Sequence, residues 1–124
     1  LPGNNHRFVT YWKQQQANQQ RQNRALADQA RLELEQIVQF LLEAYPVQQI
    51  ILFGSLVKGQ FGSTSDIDLA VAGLPSSSFF EAYGAITRLT QFKVDLKPLE
   101  SLHPHFRRRV LKQGEKLYEK PVRS

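Results

Sequence analysis

The spacing of apolar positions changes character several times along the chain. From Leu26, apolar residues recur at helical intervals through Ala30, Leu34, Ile37, Val38, Leu41 and Leu42 to Tyr45. This stripe predicts an amphipathic helix that stops before Pro46, because the residue ahead of a proline is pushed out of helical geometry. Upstream, Lys13 to Arg24 is nearly all Gln, Asn and Arg. Gln favours helix, but this half has almost nothing to bury. No Gly or Pro interrupts residues 11–45, which as one helix would span about 50 Å, more than so small a body needs. A solvated or frayed extension is the simpler reading. An arm that docks a partner is the sharper one.

After Pro46 the period shortens. Val47–Phe53 is a β-like run broken by Gly54, and Ser55–Gly59 fits one helical turn. Gln60–Ser65 is a polar loop. Ile67–Ala72 alternates as a strand and stops at Gly73. Pro75–Ser78 is a turn, with Ser76, Ser77 or Ser78 as cap for a helix over Phe79–Leu89. Phe92–Leu96 predicts a third strand closed by Pro98. Residues 103–117 predict a last helix, with Pro104 in its first turn and Gly114 interrupting its end. The order is α-β-(α)-β-α-β-α, without internal repeats.

Composition narrows the classes. At 124 residues the chain is one domain's worth, and its 41% hydrophobic and 22% charged residues fit a folded globular domain. The absence of Cys excludes a disulfide scaffold, a Cys-ligated zinc site, an iron–sulfur cluster and thiol catalysis. No apolar run approaches the ~20 residues of a membrane span, and no signal peptide is visible, so a cytoplasmic location is expected. Position 1 is Leu, so the natural start is expected to be missing, processed or mis-assigned. The net charge of +5 is unevenly spread: residues 101–124 hold seven basic and two acidic side chains, while residues 51–100 hold four and five.

The middle carries the candidate chemistry. Gly54-Ser55 follows the first strand, and ten residues separate it from Asp66-Ile67-Asp68. Residues i and i+2 of a strand share a face, so Asp66 and Asp68 project together. Asp95 alternates with Val94 and Leu96 in the third strand. If that strand lies beside the second, the three carboxylates converge. Converging carboxylates repel and favour protonation unless a cation neutralises them. Mg²⁺ suits such an oxygen-rich, partly open site, with substrate phosphates completing its shell. Single strand-end aspartates are ordinary, but D-x-D with a third Asp inside an apolar strand is not, since Asp is disfavoured there. Glycine lets the backbone turn and bring N–H groups near a ligand, and a strand, Gly-Ser and a helical turn suit a phosphate.

The segment LFGSLVKGQFGSTSDIDLAVAG resembles the signature of the DNA polymerase β-type nucleotidyltransferase superfamily. The ending KVDLKPLESLHPHFRRRVLKQGEKLYE resembles its minimal nucleotidyltransferase (MNT) branch, many of whose members are antitoxins paired with HEPN-type RNase toxins. The resemblance covers roughly residues 47–119, outside the Gln-rich half-helix. It implies an α/β (α+β) nucleotidyltransferase fold: a small mixed sheet flanked by helices, with a long N-terminal helix. The domains would be a Gln-rich extension over 1–24, a minimal nucleotidyltransferase over 25–119 and a tail over 120–124. Asp66, Asp68 and Asp95 would ligate two Mg²⁺, with Asp95 also helping to deprotonate the acceptor hydroxyl. Gly54 and Ser55 would bind nucleotide phosphates. The family often places a basic residue directly after Gly-Ser and another two positions on; here those places hold Leu56 and Lys58, so Lys58 is expected to reach a phosphate. The implied activity transfers AMP from ATP to a hydroxyl, in toxin-paired members a tyrosine of the cognate HEPN toxin. No membrane partner and no direct nucleic-acid binding are expected.

Other features admit plainer readings. His103 and His105 bracket Pro104 without a third ligand nearby, so a helix-start or surface role outweighs a metal site. Arg107, Arg108 and Arg109 spread over about 200° of a helix and form no single basic patch; a solvated face is expected, with one Arg turned to an acidic partner or the nucleotide. Tyr11 and Trp12 are either a partner anchor or packed on the body. Two rivals to the enzyme stand: an antitoxin that only binds its toxin, and a nucleic-acid binder acting through the basic C-terminal stretch.

Overall fold

The computed structural model describes residues 2–121, with side chains from Arg7 onward; residue 1 and the last three residues of the expected tail lie outside the described residues. Helix α1 spans Pro2–Ala44 without a break. At 1.5 Å per residue it is about 65 Å long. The Gln-rich half is therefore helical, as Gln propensity favours, although every side chain from Arg7 to Gln22 is exposed. The stripe of the second half does the packing: Ala30, Leu34, Ile37 and Leu41 are buried.

Four strands follow: β1 (Gln49–Phe53), β2 (Ile67–Ala72), β3 (Val94–Pro98) and β4 (Glu115–Glu119). Between them lie the one-turn helix α2 (Ser55–Lys58) and helices α3 (Phe79–Thr87) and α4 (Pro104–Gln113). The sheet order is β3-β2-β1-β4. β1 runs antiparallel to β2 and β4, and β2 runs parallel to β3, so the sheet is mixed.

Period-two alternation divides the sheet cleanly. Ile50 and Leu52, Ile67, Leu69 and Val71, and Val94 and Leu96 face α1 and α3 in the main core, where Ala82 and Ile86 of α3 are also buried. The opposite face carries Ile51 and Phe53, Asp68, Ala70 and Ala72, and Asp95 and Lys97. There α4 and the turn before it supply Val110, Leu99, Leu102 and Phe106 to a second, smaller cluster. Each fully buried Ile or Leu contributes about 1.5–3 kcal/mol of transfer free energy, so the first face holds most of the stability.

Three expectations are corrected. The third strand begins at Val94 and includes Pro98, which stands opposite Val71. A proline lacks an N–H, but β3 is an edge strand, where that donor is not needed. The last helix ends at Gln113, and residues 115–119 form β4 instead of a helical end. Gly114 allows the switch: a Cβ there would lie 2.5 Å from the Val110 carbonyl oxygen and 2.6 Å from Ile51 Cγ2. No serine side chain caps α3; Ser76–Ser78 form a 3₁₀ turn leading into it. The helix-start reading of His103 holds, since its Nδ1 accepts the backbone N–H of His105 at 3.3 Å.

Candidate active site

The site lies where the α4 face of the sheet runs out of apolar residues. Asp68 and Asp95 stand opposite each other across the parallel β2–β3 pair, and Asp68 is also the register partner of Phe53 on β1. Asp66 sits just ahead of β2. Burial first, then the charges of Asp95 and Asp66, push the Asp68 carboxyl up to about 6, against a smaller opposing pull from Lys97. Asp68 is thus within electrostatic reach of both other carboxylates. Among the described residues no three Asp, Glu or His groups form a ready-made metal cage. As a donor set, clustered carboxyl oxygens whose repulsion a cation would relieve fit a hard divalent ion that takes its remaining ligands from substrate.

Gly54 is fixed by the same contact. Its φ is +81°, and a Cβ would lie 2.1 Å from Asp68 Oδ2. Only glycine lets the end of β1 approach that carboxylate. Ser55 then opens α2, where the Lys58 N–H donates to the Gly54 carbonyl at 3.2 Å and the Gln60 N–H to that of Ser55 at 2.9 Å.

A cleft of about 540 Å³ is lined by Phe53, Gly54, Val57, Lys58, Asp68, Asp95, Lys97, Phe106, Arg109, Val110, Gln113 and Gly114. That is the size of a small-molecule site. It brings together four of the expected residues, Gly54, Lys58, Asp68 and Asp95. Ser55 and Asp66 do not line it, although Asp66 is near enough to act on Asp68. Leu56 is buried in the main core.

Sequence reasoning missed several lining residues. Lys97 ion-pairs with Asp95 at 3.2 Å. It lies two positions after Asp95 and shares its face by the rule that aligned Asp66 with Asp68, so a signal existed. Phe106 and Gln113 had no such signal, because nothing local says which face α4 turns to the sheet. The three arginines have three destinations. Arg107 donates to the Glu100 carbonyl at 2.6 Å, Arg108 contacts His105 Nδ1 at 2.8 Å, and Arg109 enters the cleft. Arg109 is therefore the one of the three that lines the cleft, and the three form no single patch, as their spread around the helix predicts.

The strand that carries Asp95 is held from behind. Ile67 N–H donates to the Lys93 carbonyl at 2.8 Å, and the Tyr83 hydroxyl to that of Val94 at 2.9 Å. Glu33 of α1 accepts from Thr90 Oγ1 and Gln91 N–H, both at 2.7 Å, and from Gln91 Nε2 at 2.9 Å, pinning the loop before β3.

The family described as Polymerase beta, Nucleotidyltransferase matches residues 35–122. Among solved structures, a chain of a toxin–antitoxin crystal structure with AMP-PNP is 30% identical, with a TM-score of 0.62 over 69% of this chain and 73% of that one. A chain from a complex of tri-AMPylated Shewanella oneidensis HEPN toxin with MNT antitoxin is 29% identical, with a TM-score of 0.57 over 73% of this chain and 72% of that one. A putative minimal nucleotidyltransferase shares the fold at 24% identity and a TM-score of 0.64, over 73% of this chain and 95% of that one. No curated protein matches the chain. Among the described residues no helix is long and apolar enough to cross a membrane.

Proposed function

The chain belongs to the polymerase beta nucleotidyltransferase family, and from that premise we propose that it transfers AMP from ATP to a tyrosine hydroxyl of a cognate HEPN RNase toxin, acting as its antitoxin. The observation that carries the reading is the facing pair Asp68–Asp95, set beside Gly54 in one cleft. Structural neighbours support it: one toxin–antitoxin holds AMP-PNP, and another contains an AMPylated HEPN toxin.

Asp66, Asp68 and Asp95 would hold two Mg²⁺. Such ions, when bound, supply positive charge that activates an attacking oxygen and stabilises departing pyrophosphate. The protein's own contribution is positional. Gly54 admits the triphosphate close to the backbone, Ser55 offers a hydroxyl and an N–H, and Lys58 reaches a phosphate oxygen from the end of α2. Asp95, held by Lys97, accepts the proton of the acceptor hydroxyl. Positioning and charge neutralisation do most of the work in such transfers.

The test is incubation with ATP labelled at the α-phosphate, Mg²⁺ and the HEPN partner. Label should reach the toxin, and the double variant Asp66→Ala/Asp68→Ala should abolish it. Equal labelling by wild type and double variant would sink the enzymatic reading.

One observation favours a second reading, neutralisation by occlusion. Phe8, Tyr11 and Trp12 lie at i, i+3 and i+4 on the exposed half of α1, at 62%, 59% and 53% exposure. Such an aromatic face suits docking. Relief of toxicity that is equally strong in the aspartate double variant, and is lost on removing residues 1–24, would establish occlusion instead of transfer.

A further inference from the structure

The wall of the cleft that faces the carboxylates belongs to α4. Phe106, Arg109 and Gln113 lie at i, i+3 and i+7 of that helix, so one of its faces presents all three to the cleft. Phe106 meets Phe53 edge-on with ring centroids 5.7 Å apart, and Phe53 immediately precedes Gly54. The Arg109 guanidinium stands 6.0 Å from the Phe106 ring centroid. Two aromatic side chains, Phe106 and Phe53, thus connect it to the glycine turn. The cleft has two other cations, Lys58 and Lys97, and Lys97 is already paired with Asp95. Among the described residues Arg109 takes part in no ion pair.

A guanidinium held beside an aromatic ring in a cleft that carries both carboxylates and cations suits a phosphate. Its planar fork binds phosphate oxygens two at a time, and the ring contact restricts where the fork can point. In nucleotidyl transfer the acceptor oxygen forms a bond to the α-phosphorus, and the bond from that phosphorus to the α–β bridging oxygen breaks. Pyrophosphate leaves with the electron pair, and the acceptor's proton passes to a base. On the transferase reading the carboxylates of the cleft serve the α-phosphate end of this event. The departing pyrophosphate carries the new negative charge and needs a cation on another side.

The geometry points to Arg109 as a ligand of the distal phosphates of the bound nucleoside triphosphate, steadied by Phe106, with α4 as the wall that closes the nucleotide against the carboxylates. This inference rests on the transferase reading and specifies its substrate contacts. It also gives one residue of the basic C-terminal stretch a nucleotide instead of a nucleic acid as its target.

The test is calorimetric titration of the full chain with ATP and, separately, with AMP, in Mg²⁺ buffer. Arg109→Ala should weaken ATP binding by about tenfold or more, yet change AMP binding by less than about threefold. Arg109→Lys should recover part of the ATP affinity. Arg108→Ala, whose side chain lies on His105 and not in the cleft, should match wild type. Arg109 is exposed, so these variants should fold, which thermal melts would show. Unchanged ATP affinity in Arg109→Ala overturns the inference. So does equal weakening for ATP and AMP, which removes the distal-phosphate contact. If wild type binds neither nucleotide, the transferase reading itself fails, and that outcome is distinct because it does not depend on Arg109.

Discussion

The two faces of the four-stranded sheet are built from the same strands and carry opposite chemistry. One is aliphatic across β1, β2 and β3 and is covered by α1 and α3. The other is aliphatic only under α4, and where α4 ends its cover the strands present Asp68, Asp95 and Lys97. The first face stores stability. The second spends part of it holding carboxylates close together. Two acidic side chains make the contrast measurable. Glu33, behind the sheet, is held at about 2: burial opposes the shift, but hydrogen bonds from Thr90, Gln29 and Gln91 outweigh it. Asp68, in the cleft, is raised to about 6 by burial and by like charges. A satisfied carboxylate braces the fold, and an unsatisfied one waits for a ligand.

The largest expected effect comes from Asp68→Asn. Transfer activity should fall by about 10³-fold or more, as when a charge-stabilising group is removed from an active site. The metal-free protein should nonetheless gain stability near pH 7, by about 1–2 kcal/mol after allowance for solvent screening. The sign follows from linkage. Asp68 binds its proton more tightly when folded than its ordinary value of 3.8, so its contribution to stability falls as pH rises from about 4 to above 6. Urea melts of both proteins across that window check it. If Asp68→Asn is less stable than wild type at pH 7, the picture of a strained face is wrong.

The mirror experiment is on the aliphatic face. Leu69 neighbours Asp68 but is fully buried in the main core. Leu69→Ala should cost about 2–5 kcal/mol of stability while leaving the cleft residues in place. Activity per folded molecule, measured well below the melting temperature, should stay within a few-fold of wild type.

Gly54→Ala joins the two faces' concerns at a smaller scale. The added methyl meets Asp68 Oδ2 and the φ of +81° is strained for alanine, so a loss of about 1–3 kcal/mol is expected. Nucleotide binding should weaken with it, because the turn must move away from the carboxylate. A variant with wild-type melting and wild-type ATP affinity would show that the close approach is not required.

The smallest effect is expected at Glu33→Gln, about 1–2 kcal/mol of stability with kcat unchanged. Here the linkage runs the other way. The folded value of about 2 lies below the ordinary 4.5, so the stabilisation is present above pH 4.5 and fades as pH falls toward 2. Wild type and variant should therefore converge in stability at the acid end of that window.

Much of this arrangement is legible in the chain. Period-two alternation in Ile67–Ala72 assigns Asp68 and Leu69 to opposite faces before any partner strand is known. The same rule applied to Val94–Lys97 does so for Asp95 and would have added Lys97. The apolar stripe from Leu26 to Tyr45 marks the packing half of α1, and Gly54 marks a backbone turn. The edge strand β4 was not legible. Its Glu-Lys-Leu-Tyr-Glu sequence has the charges that edge strands use to stay unpaired, and over five residues this does not differ from a charged helix end. Nor could a row of three arginines reveal that only Arg109 reaches the cleft.

What the sequence by itself determined is therefore the local geometry: which side chains share a face, where the backbone must turn, and that carboxylates alternate with aliphatic residues. These follow from the repeat of the backbone within a few residues. What only the tertiary structure decided is which faces meet. The parallel pairing that sets Asp68 beside Asp95, the α4 face that brings Phe106 and Arg109 over the cleft, and the clasp of Glu33 on residues 90 and 91 all join segments distant in sequence. Such contacts are chosen by the burial and pairing of the whole chain at once, and no stretch short enough to read locally contains that choice.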